Sequence, residues 1–93
     1  MAGFTTISST QLSATGDVFA GPARVKSIWI AHSATAGTVV LRDGGSTGTV
    51  RCTLNTAAVI AEYQSDMPYP GIKCSNPHIT IGGGVSFVTV FYD

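Results

Sequence analysis

The sequence predicts an all-β protein, a single antiparallel β-sandwich or jelly-roll-like domain of seven or eight short strands. Three observations lead there. No segment as long as about 10 residues holds apolar positions at helical spacing, whereas short alternating or apolar runs recur along the whole chain. Gly, Pro, Asn and Ser punctuate those runs at intervals suited to antiparallel strands. Ninety-three residues match one domain and leave no room for a second module.

Each element has its own signature. Residues 1–15 are polar from Thr5 onward and are read as part of the domain or as a mobile or docking N-terminal arm, with one strand around Phe4 to Ser8. Gly16-Asp17 turns the chain, Val18-Phe19 makes a short strand, and Gly21-Pro22 stops it. Arg24 to His32 is a strong strand, with Val25, Trp29 and Ala31 assigned to one face and Ile28 and Ile30 to the other. From Thr38 to Leu54 a hairpin is expected: Val39 and Leu41 pair with Val50, Cys52 and Leu54, and Arg42 and Arg51 lie on the outer face. Its turn runs from Asp43 through two glycines to Gly48, and Asp43 is expected to close it by bonding amides just ahead.

Thr56 to Tyr63 fits either one helical turn or a strand, and strand is preferred. Met67 to Gly71 holds two prolines and therefore suits a crossing loop or an edge rather than a central strand. Ile72 to Cys74 and His78 to Ile81 read as short strands, and Gly82-Gly83-Gly84 as a turn into a last strand, Val85 to Tyr92. In that strand Val85, Phe87 and Phe91 share one face, and Val88, Val90 and Tyr92 the other.

Charged residues make up only 11% of the chain, and Thr, Ser, Ala and Gly fill the shortfall. Such a surface suits either an ordinary all-β domain or one largely covered by neighbours. Five basic and five acidic residues cancel, so no net field draws in nucleic acid or anionic lipid, and neither is an expected partner. No run approaches the ~20 apolar residues of a membrane span, and Met1 to Ile7 lacks the order of a signal peptide, so synthesis in the cytoplasm is expected. Cys52 and Cys74 are compatible with a disulfide by spacing. Without a secretory signal, two reduced thiols packed as small hydrophobes are preferred.

Patterns that carry chemistry are sparse. His32 and His78 lack a second ligand at metal spacing, and a site would have to be assembled from Cys52, Cys74 and His78, with Asp66 as a further ligand, across separate strands, so no metal and no cofactor are expected. The serines lie outside a nucleophile-elbow context, and no histidine–carboxylate pair stands out. Asp17 and Asp43 suit turns, and a domain this small rarely encloses the cleft a carboxylate pair would need. The two glycine runs lack a following helix and a Lys-Ser/Thr, so they are turns rather than phosphate loops. No catalytic residue is assigned and the protein is expected not to be an enzyme.

Aromatic residues offer the alternative of sugar stacking, through Trp29, Tyr63, Tyr69 and Tyr92. Trp29 is placed in the core, and Tyr69, between prolines, is the leading contact residue. The two-faced strands argue for a partner as well. Left in water, Ile30, Val88 or Val90 would each forgo about 1.5 to 3 kcal/mol, against a domain stability of about 5 to 15 kcal/mol. Ile28, Ile30, Tyr69, Val88, Val90 and Tyr92 are therefore the predicted subunit or capsid contacts.

Gly-Pro-Ala-Arg-Val-Lys-Ser-Ile-Trp-Ile from Gly21, Gly-Thr-Val-Val-Leu-Arg-Asp-Gly-Gly from Gly37, Pro-Gly-Ile-Lys-Cys from Pro70 and the closing Val-Ser-Phe-Val-Thr-Val-Phe-Tyr together resemble small virion structural proteins of tailed bacteriophages, those of marine and cyanobacterial phages above all. The similarity runs from Gly21 onward and rests on strand and turn residues; Cys52 and Cys74 stand where apolar residues or Thr would serve. It implies a capsid decoration (cement) protein on the virion exterior, assembled in the host cytoplasm, dimeric or trimeric, and partnered by the major capsid protein or other virion proteins. A tail or baseplate component and a carbohydrate-binding host-adhesion module are the alternatives.

Overall fold

A computed structural model describes residues 7–93. Its strands are β1 (Ser8–Leu12), β2 (Gly16–Asp17), β3 (Ala23–Asp43), β4 (Thr49–Thr56), β5 (Ala61–Asp66), β6 (Ile72–Cys74) and β7 (Pro77–Tyr92), all joined antiparallel in one sheet. The chain is all-β, as its periodicity predicts. Of the strand expected around Phe4 to Ser8, Phe4 to Thr6 lie outside the described residues; within the predicted arm, Ser8 to Leu12 pair with Tyr92 to Val88 as an edge strand. The predicted Val18-Phe19 strand falls two residues early, at Gly16–Asp17.

Two strands are far longer than expected. Arg24 to His32 and the first arm of the hairpin are one strand of 21 residues, and the last two predicted strands fuse into one of 16. β3 pairs with β7 along nearly its whole length, and register shifts around Ala31, His32 and Gly37 mark the bend. Beyond each partner, β1 and β2 extend the β7 side, while β4, β5 and β6 extend the β3 side.

The bend turns one sheet into two layers. Val25, Ile28, Ile30, Val88 and Val90 from one half join Val39, Leu41 and Ile79 from the other in one core, each of them fully buried. A sheet presents both faces unless something covers one, so this burial requires the halves to lie face to face. The folded sheet is the expected sandwich, built from continuous strands rather than from separate short ones.

Gly82-Gly83-Gly84 is therefore a correction: it does not end a strand, since Gly82 and Gly83 pair with Thr38 and Gly37 and pairing resumes at Val85 opposite His32 after an irregularity at Gly84. A Cβ on Gly84 would run into the Thr35 carbonyl oxygen and come within 2.7 Å of Ser33 Oγ, and Gly83 has φ +67°. Ser33 stitches the crossing by donating its hydroxyl to the Gly84 carbonyl at 3.0 Å and accepting the Thr35 amide at 3.3 Å.

The hairpin forms with Val39 opposite Leu54 and Leu41 opposite Cys52, as the alternation requires. Asp43, however, does not close its own turn. Its Oδ1 accepts the amides of Ser75 at 2.8 Å and Asn76 at 3.2 Å, fastening the hairpin base to the β6–β7 connection. Thr56 to Tyr63 divides between the end of β4, an exposed connection and the start of β5, so the strand preferred there is only partly present. Met67 to Gly71 is a loop, and both cysteines are free thiols, Cys74 buried and Cys52 half-buried.

Candidate functional site

Strand parity decides which residues can meet a partner. One extra residue, Lys26, sits in β3 between Val25, opposite Tyr92, and Ser27, opposite Phe91. The bulge moves Val25 onto the face of Ile28 and Ile30, which turns inward, and leaves Ser27, Trp29 and Ala31 facing outward. The predicted grouping of Val25 with Trp29 is corrected accordingly, and so is the placement of Trp29 in the core.

Four of the six predicted contact residues are corrected by the same geometry. Ile28, Ile30, Val88 and Val90 are 0% exposed within the single chain. The cover assigned to a neighbouring subunit comes from the chain's own second layer. Tyr92 is half-buried, its ring centroid 5.5 Å from that of Phe19. Only Tyr69 stands free, 96% exposed at the tip of the 67–71 loop. Lys26 donates from Nζ to the Pro70 carbonyl at 2.7 Å, and its own carbonyl accepts the Met67 amide at 3.0 Å, so the bulge residue holds the loop from both sides.

On the outer face of the β1–β7–β3–β5/β6 layer, directly paired residues point the same way. Ser27 lies between Phe91 and Asp66, Trp29 between Thr89 and Gln64, and Ala31 between Phe87 and Glu62. The indole Nε1 of Trp29 donates to Glu62 Oε1 at 2.9 Å, and Gln64 Nε2 donates to Asp66 Oδ1 at 3.0 Å. At one end a hollow of about 370 Å³ is lined by Ala31, His32, Ile60, Glu62 and Phe87 among others, with Ile60 itself 82% exposed. At the other end Arg24 pairs with Lys73 across the strands, and Asp93 approaches Arg24 Nε at 3.5 Å and Lys26 Nζ at 3.8 Å. The face is thus aromatic in its middle, acidic along β5 and basic at β6. Sequence reading places Trp29 in the core because alternation alone does not show the one-residue bulge at Lys26, while Ile60 and Glu62 lie in and just after the exposed connection between β4 and β5, where no pattern assigns them a role.

A histidine–carboxylate pair does form, contrary to expectation: His78 Nδ1 lies 2.8 Å from Asp17 Oδ1. His78 is buried and its Nε2 is sealed without a partner, so the pair has no nitrogen to present to a substrate and instead ties β2 to β7. Among the described residues no three His, Cys, Asp or Glu side chains come close enough together to hold a metal ion.

No protein-family model matches this chain, and neither the curated proteins nor the solved structures include a significant match to it.

Proposed function

We propose that this protein is a non-enzymatic structural component of a tailed-phage virion, a decoration protein on the capsid exterior that stabilises the shell by bridging coat subunits. The observation that carries the reading is Tyr69, an almost fully exposed aromatic side chain on a loop held from both sides by Lys26. A flanking pair of prolines and those anchors leave little backbone freedom to lose on docking, and a tyrosine contributes large contact area for few rotatable bonds. The low charge and the resemblance of the strand and turn residues support the same reading. Stabilisation then follows from linkage: a protein that binds only the assembled shell shifts the equilibrium toward it.

Gold-labelled antibody to the recombinant chain, imaged on intact particles of the phage encoding it, tests the proposal. Label spread over the shell is the expected result, and Tyr69→Ala protein should fail to rebind shells stripped of it. Label confined to the tail assigns the protein there instead; unlabelled particles overturn the virion reading.

Host-glycan binding is the second reading, favoured by Trp29 on an open sheet face beside Gln64, Thr89 and Glu62, which is an arrangement that can stack a sugar ring and bond its hydroxyls. Glycan-array binding that is lost on Trp29→Ala would establish it.

A further inference from the structure

The outer face carries an internal symmetry of charge. Along the β6–β5 edge the outward residues come in four rows: Lys73 opposite Arg24, Asp66 opposite Ser27, Gln64 opposite Trp29 and Glu62 opposite Ala31. The rows are evenly stepped because Lys26 is looped out between the first and second. Among the described residues, Asp17, Asp43 and Asp93 are engaged by His78, by the amides of Ser75 and Asn76, and by Arg24 with Lys26. Glu62 and Asp66 accept only neutral donors, and Lys73 has no ion-pair partner among those residues. The first row therefore ends in the unpaired cation Lys73 and the fourth in the carboxylate Glu62, while the two rows between them carry Phe91 and Trp29 beside Asp66 and Gln64.

We propose that two copies of this chain pack outer face against outer face, about a two-fold axis that crosses the strands between the Ser27 and Trp29 rows. Reversing one copy about that axis exchanges the first row with the fourth and the second with the third. Glu62 then meets Lys73 of the second copy, Asp66 meets its Gln64, and Trp29 lies beside its Ser27, each contact made twice. The other face-to-face two-fold, with its axis along the strands, keeps each row at its own level but lays the β5 and β6 strands over the β7 and β1 side of the second copy, where neither Glu62 nor Lys73 meets the other, so it forgoes that charge complementarity. Four strands by four rows span about 19 by 27 Å, or about 500 Å² per copy, at the lower end for a specific interface, so the affinity is micromolar and salt-sensitive. Both 67–71 loops leave the same stacked edge of such a dimer, since β5 and β6 lie on one side of β3. The inference rests on the assembly reading for its purpose, because a pair of Tyr69 tips on one side can join two neighbouring coat subunits where one tip cannot.

Sedimentation equilibrium of the full chain across the micromolar range tests it, with Glu62→Lys, Lys73→Glu and the double reversal. The wild type is expected to dimerise, and raising salt from about 0.05 to about 0.5 M weakens it. Each single reversal raises the dimer Kd by about tenfold or more, and the double reversal returns it to within about threefold of wild type. The rescue itself shows that a single variant failed by charge and not by misfolding, and matching thermal melts check the same point. A monomer throughout, a dimer indifferent to the single reversals, singles not rescued by the double, or a monomer binding glycan through Trp29 would each overturn the inference. A wild-type monomer that still binds shells through Tyr69 removes the dimer and leaves the docking proposal standing; a charge-rescued dimer that ignores shells does the reverse.

Discussion

Asp43 Oδ1 accepts the Ser75 amide at 2.8 Å, joining the end of β3 to a residue 32 positions later. The same oxygen takes the Asn76 amide at 3.2 Å, and the Asn76 carbonyl accepts the Gly44 amide at 3.0 Å. Asp43→Ala leaves two amides without their acceptor and should lower stability by about 1 to 3 kcal/mol. Asp43→Asn keeps an acceptor oxygen and should lose less than half as much. Urea unfolding followed by Trp29 fluorescence measures both.

Gly84→Ala is expected to be the most damaging single change. Its methyl group would run into the Thr35 carbonyl oxygen and crowd Ser33 Oγ, where β7 passes β3 at the bend. Backbone displacement of that kind exceeds the usual cost of a point substitution, so a loss of about 4 kcal/mol or a failure to fold is expected. A soluble variant that melts within a few degrees of wild type would refute the close approach.

The Asp17 to His78 contact reaches only one imidazole nitrogen, and the Asp17 side chain is more than half exposed. Asp17→Ala leaves a buried ring with both nitrogens unpaired, while screening limits the lost attraction. A loss of about 1 kcal/mol is expected, and the imidazole resonances of His78, followed by NMR, should shift while those of His32 stay in place.

Burial raises the Cys74 thiol above its ordinary value, with Asp43 adding to the effect and Arg51 opposing it. Burial likewise raises the Tyr63 hydroxyl, with a further contribution from Cys52. Both groups hold their protons more tightly folded than unfolded. Once the pH passes about 8.5 the unfolded thiol ionises while the folded one does not, so stability falls as pH rises, and Tyr63 adds to the slope nearer pH ~10. Thermal melts in mild alkali should show the decline, and Cys74→Ala should make it shallower. Native thiol titration should label Cys52 well before Cys74.

Much of the fold was legible because period-two patterning is a local signal. The Val39 and Leu41 alternation, the prolines at Pro68 and Pro70 and the hairpin glycines each constrain their own few residues. Contact residues were less legible. Alternation marks Ile28 and Ile30 as one face and Val88 and Val90 as one face, but a strand apolar on two sides reads the same whether its second cover is a neighbour or a distant part of the same chain.

Local patterning was enough to establish an all-β chain of low charge, the hairpin turn that starts at Asp43, and the loop on which Tyr69 rides outside any central strand. Tertiary structure alone decided that β3 and β7 run unbroken through the bend, that the layer they complete buries Ile28, Ile30, Val88 and Val90, and that Trp29 faces outward over Glu62. The cause is one of range: side-chain alternation reports the neighbour two residues away, whereas a bulge at Lys26 and a bend at Gly84 are settled by packing between residues some fifty to seventy positions apart.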